Sequence, residues 1–168
     1  ITIIENDEWK RANGISVLKG QPYLNEPFLL LMADHIFDSE IARKLIRCSS
    51  DNKGILLAVD EDLQNPLVDM ADVTRVLVEE NRIQKIGKGL DSYNCFDTGI
   101  FLCDPALFTA IATSSKNQKD DSLSGGVRIL AEEGKAVAMP INGSFWCDID
   151  DPNNFKQADI YLSKLTEE

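Results

Sequence analysis

Three carboxylates are the first residues here that could do chemistry. Asp34 closes the apolar run "PFLLLMAD", and Asp148 and Asp150 stand two apart in "WCDIDD". In a strand, residues i and i+2 share a face, so Asp148 and Asp150 are expected to point one way while Ile149 points into a core. Two carboxylates on one face repel each other unless a cation, a basic group or water compensates them. Asp34 joined by Asp148 or Asp150 would make an oxygen site for a hard cation such as Mg²⁺, which takes one or two carboxylates together with phosphate oxygens and waters. Such a site matches phosphoryl or nucleotidyl transfer, in which a divalent ion neutralises phosphate charge during an in-line displacement. A structural reading stands beside it. Polar residues commonly end strands, and Asp151, just before Pro152, has the pattern of a helix N-cap.

Two further segments carry polar groups where the backbone can come close to a ligand. Lys88 lies between glycines in "IGKG" and could serve as a point charge for phosphate, or be a solvated hairpin lysine. "DTG" at 97–99 puts a carboxylate, a hydroxyl and a position without a side chain into one apolar segment, either as a binding feature or as a bulge relieved by Gly99.

These residues need elements to hold them. "ITIIE" at the start reads as a strand rich in β-branched residues. "NGISVLKG" predicts a short helix with Asn13 near its cap and Gly20 at its end. "PFLLLMAD" has the continuous apolar pattern of a strand buried on both faces, as in a parallel sheet. "DSEIARKLIRC" predicts a helix capped by Asp38, and "GILLAVD" a strand ending at Asp60, which together give a strand–helix–strand unit. "TRVLVEENRIQKIGK" reads as a hairpin turning at Glu80–Asn81. "NCFDTGIFLCD" is a further strand, and "PALFTAIAT" starts a helix with Asp104 as its cap. "SSKNQKDD" reads as a polar loop. "SLSGGVRILAEEG" is a helix closed by Gly134, "AVAMPI" and "FWCDID" are short strands, and the last helix places Phe155, Ala158, Tyr161, Leu162 and Leu165 on one side. Ligands in such open α/β sheets bind beyond the carboxyl ends of the strands, where Asp34 is expected.

The bulk properties narrow the classes of function. The chain has 168 residues, 43% hydrophobic and 27% charged, so residues 1–168 are expected to form one domain with a real core. The net charge of −11 disfavours a nucleic-acid partner but permits a small anionic ligand held by local lysines and a cation. No apolar run approaches a membrane span. The four cysteines form no CxxC pair and His35 is the only histidine, which argues against a zinc site and fits a reducing, cytoplasmic setting.

In order along the chain, "ANGISV", "LLMADH", "TRVLVEENRIQKIGKGL", "DTGIF", "SLSGGVRILAEEG" and "WCDIDDPNNFKQAD" resemble the nucleotide-diphospho-sugar transferase superfamily. Within it they are most similar to the CTP:inositol-1-phosphate cytidylyltransferases, with phosphocholine cytidylyltransferases nearby. The resemblance implies a three-layer, Rossmann-like α/β fold with a mixed sheet, and Mg²⁺-dependent transfer of a nucleotidyl group from a nucleoside triphosphate to a phosphorylated alcohol or sugar, with release of pyrophosphate. It implies metal ligation by Asp34 and by Asp148, with Asp150 as the other candidate, and makes Asp34, Asp148 and Lys88 the catalytic set. Asn13, Gly14 and Ser16 match the segment along the nucleotide base. Lys88 matches a lysine on the acceptor phosphate, and Asp97, Thr98 and Gly99 match the acceptor pocket.

One family feature is missing. The glycine-rich, basic loop that cradles the triphosphate has no counterpart here, so the sequence is expected to be an N-terminally truncated piece, the C-terminal two-thirds or so of the family domain. Two other functions stay open at this stage: sugar-1-phosphate nucleotidyl transfer with another triphosphate, and a non-catalytic module that binds a ligand or self-associates through exposed sheet edges.

Overall fold

A computed structural model describes residues 1–48 and 54–166. The elements in chain order are α1 (Gly14–Lys19), β1 (Phe28–Leu31), β2 (His35–Phe37), α2 (Ser39–Arg47), β3 (Ile55–Asp60), β4 (Arg75–Glu79), β5 (Arg82–Gly87), β6 (Cys95–Cys103), α3 (Ala106–Gln118), α4 (Leu123–Glu132), β7 (Ala136–Pro140), β8 (Trp146–Asp148) and α5 (Pro152–Thr166), with one 3₁₀ turn at Gln21–Tyr23.

Six strands form a mixed sheet in the order β1-β6-β3-β7-β5-β4. β3 and β7 are parallel neighbours, while β6 runs antiparallel to both β1 and β3. The β4–β5 hairpin closes back on the sheet: Arg82 pairs with Val137 on one side, and Arg75 and Val76 pair with Phe96 and Cys95 on the other. Its turn residues Glu80 and Asn81 have φ of 50° and 63°, the left-handed pair that a two-residue hairpin of matching twist requires.

β3 is the axis of the core. All six of its residues are buried. Ile55, Leu57 and Val59 face a cluster shared with Leu107 and Ile111 of α3 and Val127 and Leu130 of α4. Leu56 and Ala58 face a second cluster with Ile41 and Leu45 of α2, Phe96 and Trp146. Helices therefore cover both faces of the sheet, giving the expected three layers. The caps act as read from the sequence for α2, where Asp38 accepts from the Glu40 N–H at 2.9 Å, and for α5, where Asp151 accepts from the Asn154 N–H at 2.8 Å. Asp104 likewise accepts from the Ala106 N–H at 2.9 Å.

Four expectations need correction. Residues 1–6 form no strand, and Ile1 and Ile3 are exposed; no strand among the described residues offers them a ladder. β1 is not buried on both faces within a parallel sheet. It is an antiparallel edge strand whose residues are part-exposed. The polar stretch 114–118 is the last turn of α3 rather than loop, because buried Ser114 and the contacts of Leu107 and Ile111 anchor the helix. Finally, Phe155, Leu162 and Leu165 of α5 are exposed; Ala158 is buried and Tyr161 stacks on Phe145 with ring centroids 3.9 Å apart.

Candidate active site

A short second sheet, β2 with β8, stands beside the large one and sets the geometry of the carboxylates. Its register pairs His35 with Asp148, Ile36 with Cys147 and Phe37 with Trp146. Asp34, just before β2, therefore stands opposite Ile149, just after β8, and its carbonyl accepts from the Ile149 N–H at 2.9 Å. One donor atom each from Asp34, His35 and Asp148 lies within 4.8 Å of the others. His35 Nε2 is 3.5 Å from Asp148 Oδ2 and 3.8 Å from Asp34 Oδ1. Asp148 Oδ1 is buried without a hydrogen-bond partner. Burial, then the neighbouring Asp150 and Asp34, raise the proton affinity of Asp148, while His35 lowers it. Closely spaced carboxylates, one with an orphaned buried oxygen, are the donor set a hard divalent cation fits.

Behind this cluster β6 carries a bulge. Leu57 pairs with Phe101 but Val59 pairs with Asp97, so one residue of β3 faces three of β6. Asp97 accepts from the Gly99 N–H at 2.8 Å, and Gly99 has φ of +72°. A Cβ there would lie 2.5 Å from Nδ1 and Cε1 of His35, so the missing side chain makes room for the imidazole. The same bulge turns the Thr98 carbonyl to His35 Nδ1 at 2.7 Å. A carbonyl can only accept, so Nδ1 carries the proton. Burial pushes the Asp97 carboxyl up to about 6, against the Gly99 N–H and His35, which favour its charged form.

These groups open on a cavity of about 410 Å³. Asp34, Asp97, Gly99, Asp148 and Asp150 line it, as do Asn13 and Lys88. Thr98, Gly14 and Ser16 do not. Thr98 is fully buried and its hydroxyl donates to the Ala58 carbonyl at 2.8 Å. Gly14 is buried against Asp121 and Ser122, and the Ser16 hydroxyl accepts from Asn6 on the surface at 2.9 Å. Asn13 caps across the fold: its Oδ1 accepts from the Leu123 N–H at 2.9 Å and does not bond within α1. β8 ends at Asp148, so Asp150 lies in the bend before α5 and does not share a strand face with Asp148.

The segment 61–74 forms the opposite wall and brings Asp69 and Asp72 to the cavity. Asp72 pairs with Lys88 at 2.5 Å. Three groups that sequence reasoning did not single out pin this wall. Asp60, buried at the end of β3, accepts from Trp146 Nε1 at 2.7 Å, from Asn65 Nδ2 at 2.8 Å and from the Asp62 N–H at 3.0 Å. Asn154 donates to the carbonyls of Leu67 and Asp148, at 3.2 and 2.9 Å. Arg75 reaches the carbonyls of Leu90 and Met70. The one sequence signal was the acid closing the apolar run of β3.

The fold has counterparts in solved structures. The inositol-1-phosphate CTP transferase from T. maritima superposes with a TM-score of 0.78 at 29% identity, over 93% of this chain and 63% of that one. This chain has the nucleotide-diphospho-sugar transferase fold. A UDP-glucose pyrophosphorylase shares that fold at 16% identity with a TM-score of 0.74, over 92% of this chain and 63% of that one. By sequence, this nucleotidyltransferase-fold chain is 34% identical over 166 residues to the bifunctional IPC transferase and DIPP synthase of Rubrobacter xylanophilus, covering 93% of this chain and 35% of that protein. It is 30% identical to the protein of that name from Aquifex aeolicus, covering 96% and 35%. The chain thus spans about a third of the length of the curated relatives it matches. No family model matches it. No helix among the described residues is long and apolar enough to cross a membrane.

Proposed function

We propose that the cavity is the acceptor and metal half of a cytidylyl-transfer site, in which the phosphate of an inositol phosphate attacks the α-phosphorus of CTP and pyrophosphate leaves. The observation that carries this reading is the gathering of Asp34 and Asp148 at the end of the β2–β8 ladder, with a carboxylate oxygen of each within 4.8 Å of the other, and with Lys88 and Asp97 in the same cavity. The similarity to proteins named IPC transferase supports the choice of CTP and an inositol phosphate.

Asp34 and Asp148 would hold Mg²⁺, which when bound neutralises phosphate charge and orients the α-phosphate. The protein's own groups align the reactants. Lys88 releases Asp72 and places a point charge on the acceptor phosphate. Asp97, held by the Gly99 N–H, accepts from or donates to an acceptor hydroxyl. The end of the cavity beside Asn13 takes the cytosine. No protein nucleophile is required, since positioning and charge stabilisation lower the barrier.

The test measures binding and turnover together. With Mg²⁺ present, calorimetry compares inositol phosphate, phosphocholine and glucose 1-phosphate, and pyrophosphate release is followed with CTP, with and without Asp34→Ala or Asp148→Ala. The reading expects inositol phosphate to bind best and either alanine change to reduce turnover by a factor of 100 or more, a loss of about 3 kcal/mol in transition-state stabilisation. Tighter binding of glucose 1-phosphate would favour sugar nucleotide synthesis instead, and near-full turnover in both variants would remove the metal assignment.

A further inference from the structure

We propose that His35 is a direct ligand of the divalent cation, which makes the centre an Asp–His–Asp site that holds Mn²⁺ more tightly than Mg²⁺. The inference rests on the reading of the cavity as a cation site and adds a ligand and a metal preference to it.

Three observations converge on Nε2. Its partner nitrogen is already committed: Nδ1 gives its proton to the Thr98 carbonyl at 2.7 Å, so the neutral ring presents a bare lone pair at Nε2. A backbone carbonyl on the far nitrogen is the arrangement that fixes tautomer and orientation in metal-bound histidines. The ring is also built in. Gly99 leaves room for it, Trp146 lies 6.0 Å away between ring centroids, and its side chain is only 11% exposed. Finally, Nε2 points at the carboxylates themselves, 3.5 Å from Asp148 Oδ2 and 3.8 Å from Asp34 Oδ1. Bonds of about 2.1 Å put adjacent donors of an octahedral ion about 3 Å apart, so Nε2 and the two carboxylates need to close by only about 0.5–0.8 Å to enclose one. The unpartnered Oδ1 of Asp148 is available to the same ion.

The ligand set decides the metal. An all-oxygen site suits Mg²⁺, whereas an imidazole nitrogen shifts preference towards softer first-row ions. Mn²⁺ accepts two carboxylates and one imidazole while leaving positions for phosphate oxygens.

The chain lends itself to a clean test, because His35 is its only histidine. The protein, prepared without a histidine tag, is titrated with MnCl₂ alone and bound Mn²⁺ is examined by pulsed electron paramagnetic resonance. The expected result is imidazole ¹⁴N modulation on bound Mn²⁺, which no other side chain here can produce. His35→Asn, which keeps a donor for the Thr98 carbonyl, is expected to abolish that signal and weaken Mn²⁺ about tenfold. Mg²⁺, measured by displacement of Mn²⁺, falls by a smaller factor. If Mn²⁺ binds in a manner that Asp34→Asn disrupts but shows no nitrogen modulation, His35 is not a ligand and the cation reading of the cavity survives. If Mn²⁺ does not bind, or binds indifferently to Asp34→Asn and Asp148→Asn, both fail. The wild-type spectrum decides even if a variant folds poorly.

Discussion

Asp97→Asn is expected to stabilise the protein at neutral pH, and by an amount the structure sets. The carboxyl is displaced from 3.8 to about 6 chiefly by burial. A raised carboxyl means that the folded state disfavours the charged form. Folding therefore carries no penalty below pH 3.8, where both states are protonated, and the full penalty above about pH 6. The gap corresponds to about 3 kcal/mol as a ceiling, and water at the cavity mouth screens part of it, leaving ~1–2 kcal/mol. Asparagine keeps the oxygen that receives the Gly99 N–H and never has to lose a proton. For a domain of this size, each kcal/mol is worth about 2–4 °C in Tm. Calorimetric melting at pH 8 should therefore show the variant about 2–8 °C above the parent, with the gap closing by pH 4. A gain of equal size at both pH values, or a loss at pH 8, would refute the claim that a buried charge is the cause. Retention of Asp97 despite that cost would then need no explanation from substrate; a confirmed gain calls for one.

Other substitutions test the supports of the site. Gly99→Ala meets both a left-handed backbone and the His35 ring, so it should cost about 3 kcal/mol in urea unfolding. Asp60→Ala orphans the Trp146 indole N–H, Asn65 and the Asp62 N–H, for an expected loss of about 2–3 kcal/mol and faster hydrogen exchange across residues 61–74. Lys88→Ala breaks an exposed pair with Asp72, so denaturation should move by no more than about 0.5 kcal/mol. Acceptor affinity in the same variant should fall about tenfold, read by calorimetry with inositol phosphate, through loss of one charge-assisted contact.

The middle of the fold was legible because its signals are local and strong. β3 is apolar on every residue since both faces are buried, the Glu80–Asn81 turn is written in the two residues that adopt it, and Asp38, Asp104 and Asp151 cap where their spacing says. β1 misled because a run of leucines looks the same whether a strand is central or at an edge; burial depends on what packs alongside. Within the site, Asp34 could be named from its position at the end of an apolar run, and Asp148 from its spacing with Asp150, although the two do not share a strand face. His35 could not be given its place, since that depends on a bulge in a strand more than 60 residues away. The roles of Asp60 and Asn154 were illegible for a related reason: each makes a hydrogen bond to a segment more than 80 residues away, Asp60 to Trp146 and Asn154 to Leu67.

The bulge and the small sheet together explain why the chemistry sits where it does. β2 and β8 share only three residue pairs, too few for a stable ribbon alone. Their register is fixed from outside. Trp146, opposite Phe37, is tied to Asp60 of the large sheet, and His35, opposite Asp148, is tied to the Thr98 carbonyl in the bulge of β6. Slipping the ladder by one residue would turn every side chain to the other face and swing Asp148 away from Asp34. The indole–carboxylate bond and the imidazole–carbonyl bond each forbid that slip. Asp97 is what holds the bulge open, through the Gly99 N–H, so the carboxylate that costs stability is also the one that aims His35. The costly carboxylate of Asp97 in β6 and the placement of Asp34 and Asp148 at the end of the small sheet are thus two ends of one mechanical linkage.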